Sequence, residues 1–287
     1  MKSCRLIING DDFGASREVN EAVILAHRRG ILTSASLMVS GPACEHAIEL
    51  AKENPLLAVG LHVTLVDGRP VLPPRQIPHI AEKTGNFLSD PAMAGMRYFF
   101  SHRARNELLK EITAQFEKFS RSGLRFSHVD SHCHMHVHPV VLDAIIKVAQ
   151  SCQVKRIRVP ADDFFSALPF LKSPLLSAGY ALVFKLLTDC MKRKLGRREF
   201  IFPRKVYGNM LTGVMNLEYV VSLLDRLPPG TAEIYFHPAL PPFSELRDAE
   251  RLQPFRELCI LLNSEVKAKI ERLGIIPSNY FDLEKDA

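Results

Sequence analysis

The chain contains no tryptophan, no Cys-x-x-C pair, no internal repeat and no low-complexity tract. Its six cysteines, at 4, 44, 133, 152, 190 and 259, are scattered over 287 residues. That length excludes a small disulfide scaffold, and reduced thiols in a cytoplasm are the expected state. No run of about 18 uncharged apolar residues is present, so no membrane-crossing helix is expected. The apolar run within Met1–Ile8 is too short for a signal peptide. The C-terminal Glu284-Lys285-Asp286-Ala287 carries no lipidation motif. The excess of one charge sign is also small: the net charge of +6 comes with no RNA- or DNA-binding signature, so no nucleic-acid partner is expected.

What remains is 47% hydrophobic and 24% charged, ordinary for a soluble enzyme. Short apolar runs alternate with amphipathic stretches. Leu6-Ile7-Ile8 reads as a buried strand. The helix after it is marked by Val19, Ala22, Val23 and Ala26, with Ser16 as N-cap and Gly30 as C-cap. Further strands are expected at 33–39, 57–65, 126–130, 156–159 and 230–236, and helices at 44–52, 106–119, 139–151, 246–260 and 266–272. Residues 66–95, rich in Pro and Gly, read as one long loop. Alternation of this kind implies parallel strands with crossover helices. The polar signatures all fall at strand C-terminal ends, which favours an α/β fold of closed or distorted (β/α) barrel type with its site at those ends.

Asn9-Gly10-Asp11-Asp12-Phe13-Gly14 ends the first strand. Asp130-Ser131-His132-Cys133-His134-Met135-His136-Val137-His138 ends another. A carboxylate after a strand often caps the next helix, but two adjacent ones at a strand end suit a metal ligand beside a general base. His132, His134, His136 and His138 alternate and would share a face in extended backbone. Asp130 is placed to orient an imidazole. His62 lies in the apolar run Leu57-Ala58-Val59-Gly60-Leu61 and would pass for a core histidine if taken alone. His237 closes the last clear strand. One Asp and two His from separate strands leave coordination positions open, the requirement of a catalytic metal site. Mixed N/O donors suit Zn²⁺ better than Mg²⁺, which remains the alternative.

Four ordered motifs resemble the YdjC-like carbohydrate deacetylases: Asn9–Gly14, Gly60-Leu61-His62-Val63-Thr64, His128–His134 and Phe236-His237-Pro238. The resemblance implies a distorted barrel of polysaccharide-deacetylase type that removes the N-acetyl group from an amino sugar. It implies Asp12, His62 and His132 as ligands of one divalent metal ion, Asp11 as general base and His237 as general acid. His134, His136 and Arg158 are expected in the substrate pocket. Gly10 stands where the family usually has Ala, and Cys133 where a His is common.

Within the family the chain looks like the hopanoid-biosynthesis-associated deacetylases. The residues behind this are Phe164 to Leu187, rich in Phe and Leu, followed by Lys192-Arg193-Lys194 and Arg197-Arg198. An apolar stretch with a basic end suits a lipid-bearing sugar or a peripheral contact with the inner membrane surface, although a core helix pair gives the same pattern. The lack of Trp agrees with a site not built to stack soluble sugars. A soluble chito-oligosaccharide deacetylase and a non-catalytic sugar- or lipid-binding barrel are the competing readings. The expected organisation is a single catalytic domain over 1–287, with insertions at about 66–95 and 162–205. A homo-oligomer is left open.

Overall fold

The first strand, β1 (Cys4–Phe13), runs well past the Leu6-Ile7-Ile8 segment that announces it. It continues through Asn9, Gly10, Asp11 and Asp12 because the polar side chains of Asn9 and Asp11 find partners inside the barrel. The chain then turns into α1 (Arg17–Arg29), where Ser16 accepts from the Val19 amide and Gly30 ends the helix. Both caps are those read from the sequence. These positions belong to a computed structural model that describes residues 4–161, 164–241 and 252–285.

The remaining elements follow in βα order. They are β2 (Ser34–Leu37), α2 (Cys44–Glu53), β3 (Ala58–Val63), α3 (Pro91–Phe100), α4 (His102–Arg121), β4 (Val129–Ser131) and α5 (Pro139–Ser151). Next come α6 (Phe164–Ala167), α7 (Pro174–Gly196), β5 (Lys205–Tyr207), α8 (Leu217–Leu224), β6 (Gly230–Phe236), α9 (Gln253–Leu261), α10 (Ser264–Arg272) and β7 (Ile276–Ser278). Every strand pairing among the described residues is parallel, in the order β4-β3-β2-β1-β6-β5. β7 lies along the first half of β1. Single parallel bridges, Val129 to Ile157 and Arg156 to Ile201, carry the sheet on from β4 toward the β5 side. This is the expected distorted barrel, regular on one side and reduced to bridges on the other.

Three expectations need correction. The strand expected at 156–159 is only those bridges, because Arg156 and Arg158 turn their side chains to partners in the interior and the ladder is short. The loop at 66–95 ends in α3: Pro91 fits the first helical position, and Asp90 accepts from the amides of Ala92 and Met93. The rest of that loop is tied to α4, where Glu111 accepts from the Val71 and Leu72 amides and Glu107 from His79. The helix expected at 246–260 falls partly outside the described residues, and its described part is α9. The sequence reading did not foresee β5, α8 and β7.

β3 approaches its neighbours closely at Gly60. A Cβ there would run into the ring of His128, which is itself stacked on Tyr280 with centroids 3.8 Å apart. Gly60→Ala is therefore expected to destabilise the chain by roughly 1–3 kcal/mol through overpacking. Urea denaturation checks this; an unchanged midpoint would show that the His128 ring moves aside freely.

Candidate metal centre

At the C-terminal end of the barrel, three side chains from three strands meet. Asp12 Oδ1 lies 3.3 Å from His62 Nε2 and 2.9 Å from His132 Nδ1. The ligand-capable atoms of this trio all fall within 4.8 Å of one another. The edge of a tetrahedron drawn with zinc bonds of ~2.0–2.1 Å is about 3.3 Å, so the spacing suits one ion. Asp12 comes from β1, His62 from β3, and His132 from the turn after β4.

Backbone conformation sets these positions. Asp12 has φ 61, in the left-handed region, which turns its carboxylate toward the barrel mouth, away from the face its strand position would give it. Gly14 follows at φ 99, and its amide donates to the buried Asn20 carbonyl at 2.7 Å. Cys133 and His134 are also left-handed, both at φ 51. Residues 132–137 thus wind into a 3₁₀ turn instead of staying extended. The four histidines therefore do not share one face. His132 faces Asp12 and His134 Nε2 meets the Tyr235 hydroxyl at 2.9 Å. His136 Nδ1 meets the Ser131 hydroxyl at 2.6 Å.

The donor set fits a metal by its chemistry as well. His62 Nδ1 lies 2.8 Å from Asp130 Oδ1. A carboxylate accepts there, so Nδ1 carries a proton, and Nε2, on the Asp12 side, is the nitrogen that would meet an ion. Burial disfavours the imidazolium of His62, yet Asp130 and the hydrogen bonds to Asp12 and Asp130 outweigh it and hold its pKa up at about 10. Burial likewise opposes charge on His132, and its bond to Asp12 prevails, raising it to about 11. Asp12 goes the other way: burial would raise it, but hydrogen bonds from His132 and His62 hold it well below the usual range. These two imidazoles and one carboxylate strongly favour added positive charge at the point where they meet. Cys133 is exposed at the cavity wall and stands outside the trio.

Beneath the trio sits Arg158, fully buried. It grips Asp11 with both outer nitrogens, Nη1 to Oδ2 at 2.7 Å and Nη2 to Oδ1 at 2.8 Å. Nη1 also reaches Asp130 Oδ2 at 2.7 Å, and Nη2 reaches Glu233 Oε1 at 2.6 Å. Its face rests 4.8 Å from the Tyr235 ring centroid. Asn9 donates to Asp11 Oδ1 at 2.7 Å and Ser36 to Asp130 Oδ2 at 2.8 Å. Burial would lift Asp130, but Arg158 and His62 hold it far below the usual range. For Glu233 burial wins over Arg158 and Tyr280, pushing it up to about 6. Asp11, His62 and Asp130 form a second metal-compatible grouping. The carboxylates of that set already serve Arg158, His62 and Ser36, so it reads as the support of the first.

A cavity of about 1060 Å³ opens above the trio. Asp11, Asp12, His62, His132, His134 and His237 reach it. Arg158 and His136, expected in the substrate pocket, do not line it: both are 0% exposed and lie behind its floor. His237 is half-buried at the end of β6, and its amide donates to Glu257 Oε2 at 2.6 Å. The sequence reading missed Tyr235, Glu233 and Tyr280. A lone Glu within the apolar run of β6 was the available signal, since a buried charge demands a buried partner.

With this geometry in view, the comparisons place the chain. The profile of the YdjC-like protein family matches residues 5–272. The chain belongs to the YdjC-like family. A carbohydrate deacetylase of Geobacillus stearothermophilus is 31% identical over 282 residues, 97% of this chain and 98% of that protein. One from Brevibacillus brevis is 40% identical over 156 residues, 54% of this chain and 59% of that protein. A crystal structure from Enterococcus faecalis V583, of a protein named for cellobiose-phosphate cleavage, superposes with a TM-score of 0.77 at 27% identity and 99% coverage of both chains. The two full-length matches extend the likeness over the whole barrel of this YdjC-like chain.

Two outcomes follow from the site. Zinc is expected to bind at one equivalent and to raise the melting temperature, and Asp12→Ala or His62→Ala to lose both effects. Metal analysis after dialysis checks this, and retained stoichiometry in either variant would move the site elsewhere. Arg158→Ala strands three carboxylates and is expected to cost about 3–5 kcal/mol. Arg158→Lys should rescue only part of this, because an ammonium cannot reproduce the two-pronged grip on Asp11. Guanidinium denaturation measures both.

Proposed function

We propose that this chain is a metal-dependent hydrolase that removes the N-acetyl group from an amino sugar of N-acetylglucosamine type. The observation that carries the reading is the meeting of Asp12, His62 and His132 at the cavity floor, beside Asp11, in a family whose full-length relative is named carbohydrate deacetylase. Asp12, His62 and His132 would hold the ion, zinc by their donor set; when bound it would supply Lewis-acid polarisation of the amide carbonyl and a lowered pKa, toward ~7, for water beside it. Asp11 accepts the proton that water gives up as it attacks the carbonyl. The bidentate Arg158 contact holds that carboxylate in place at the cavity. His237, at the C-terminal end of the neighbouring strand β6, gives a proton to the departing amine nitrogen, so that acetate and a free amino sugar leave. His134 lines the cavity. Burial and the nearby His136 and Arg158 charges hold its pKa well below the ordinary value, so it serves as a neutral hydrogen-bonding wall.

The substrate is lipid-linked in this reading. Met96, Phe99, Val183, Phe184 and Leu187 make one side of the cavity apolar, well beyond what a sugar and its acetyl group need. The resemblance to the hopanoid-associated members narrows the lipid to a hopanoid carrying the amino sugar, met by a cytoplasmic enzyme.

Asp11→Asn should keep its metal and lose about 10²–10⁴-fold in acetate release, the size of a general-base contribution. Loss of metal along with activity would instead make Asp11 a ligand. Comparing acetate release from diacetylchitobiose and from a hopanoid-linked N-acetylglucosamine tests the substrate. Equal efficiency on both would sink the lipid-linked reading and favour a soluble chito-oligosaccharide.

A further inference from the structure

Two helices at the cavity mouth turn large apolar side chains to solvent. On α7, Leu175, Leu176, Leu182, Val183 and Leu186 are between 57% and 92% exposed. On α3, Met93, Met96 and Phe100 are between 51% and 80% exposed. Both helices line the cavity, α3 through Met96 and Phe99, α7 through Val183 and Leu187. The two sets therefore belong to the rim of one opening. Exposed apolar side chains gathered on both helices of one opening mark an interaction site.

The rest of α7 says how that surface is held. Thr188, Met191 and Leu195 are buried against the body of the protein, and Lys194 pairs with Asp143 of α5. The helix has the length and apolar character of a membrane span. Lys185 and Asp189 interrupt it midway and pair with each other, and its buried stripe is committed to the protein, so it lies on a surface instead of crossing one. Charge selects the surface. Arg193, Arg197 and Arg198 end α7, while Arg97, Arg103 and Arg105 surround Phe99 and Phe100. The acidic groups beside these helices are engaged or set at their ends: Asp189 is paired with Lys185, Asp143 with Lys194, Asp90 caps the start of α3, and Glu199 follows α7. Basic side chains flanking an apolar face match an anionic lipid headgroup layer.

We infer that the α3–α7 face is a docking surface for an anionic lipid bilayer, and that it sets the cavity mouth against the membrane. A lipid-borne sugar would pass from the bilayer along Phe99 and Val183 to the Asp12–His62–His132 floor without crossing water. The route rests on the lipid-linked reading above; the docking does not.

Co-sedimentation of the full chain with vesicles tests it. Binding is expected to mixed phosphatidylethanolamine–phosphatidylglycerol vesicles and to be weak on phosphatidylcholine. The triple variant Leu175→Glu, Leu176→Glu, Leu186→Glu changes only exposed side chains outside the cavity lining. It should bind at least about tenfold more weakly, with an unchanged melting temperature and unchanged acetate release from a soluble N-acetyl sugar. Arg197→Glu with Arg198→Glu should erase the preference for anionic vesicles. Absence of binding to either vesicle, or full binding by the triple variant, overturns the inference. So does a concentration-dependent dimer in sedimentation velocity that the triple variant abolishes while vesicles bind nothing, since a second copy would then be the occupant. Vesicle binding that persists when no N-acetyl sugar is hydrolysed supports the docking and counts only against the proposed reaction.

Discussion

One buried guanidinium organises this molecule. Arg158 contacts Asp11, Asp130 and Glu233 at once, and those carboxylates come from β1, β4 and β6. Taking an arginine and three carboxyl groups out of water is costly, and the arrangement holds only because nearly every lone pair and proton is matched. Tyr280 covers the far oxygen of Glu233, Asn9 covers Asp11, and Ser36 covers Asp130. The regular half of the barrel and its irregular half are thereby fastened at one level, where backbone pairing between β4 and the 156–158 segment is too sparse to do so alone.

The same network explains why the centre above it can be sharp. Asp130 holds His62 by its Nδ1, which fixes both the tautomer and the ring plane, and Asp130 is itself fixed by Arg158. Asp11 is oriented by two guanidinium contacts, so it has little rotational freedom before any substrate arrives. Three carboxylates against one arginine leave an excess of negative charge under the trio. That excess raises the affinity of His62 for a proton, as Asp12 does for His132, and by the same physics the site favours a dication at the position the protons would vacate. A site of this kind binds its ion more strongly as pH rises, because the protons it must displace become scarcer.

The sequence carried much of this in readable form. Alternating periods of two and 3.6 marked β6, α1 and α5 closely, since each is bounded by a residue with a physical reason to stop there: Ser16, Gly30, Pro139 and the end of a fully buried run. Asp12, His62 and His132 were visible as out-of-place polar groups at strand ends. What sequence could not carry is conformation at single residues. Nothing in Asp130–His138 announces left-handed backbone at Cys133 and His134, yet that turn decides which imidazole faces Asp12. Arg158 was legible as a functional residue but misassigned to the pocket. An arginine in an apolar strand declares that it has a buried partner without saying on which side of the barrel. The partner was equally visible, as the lone Glu233 in β6, and only the side-chain contact across the barrel interior brings the two together.

The two characters of the cavity have a common foundation. Its floor is ionic and fixed by the Arg158 network; its rim is apolar and carried by α3 and α7. Both rim helices pack against α5 and against the turn that holds His132. α5 begins at Pro139, immediately after that turn, so its N-terminal anchor is also the end of the ligand segment. Such a division would suit the proposed amphiphile, its polar end at a fixed point and its apolar end kept from water. On the proposed lipid-linked reading, Leu175 and Phe100 standing in water are the apolar counterpart of the ionic floor.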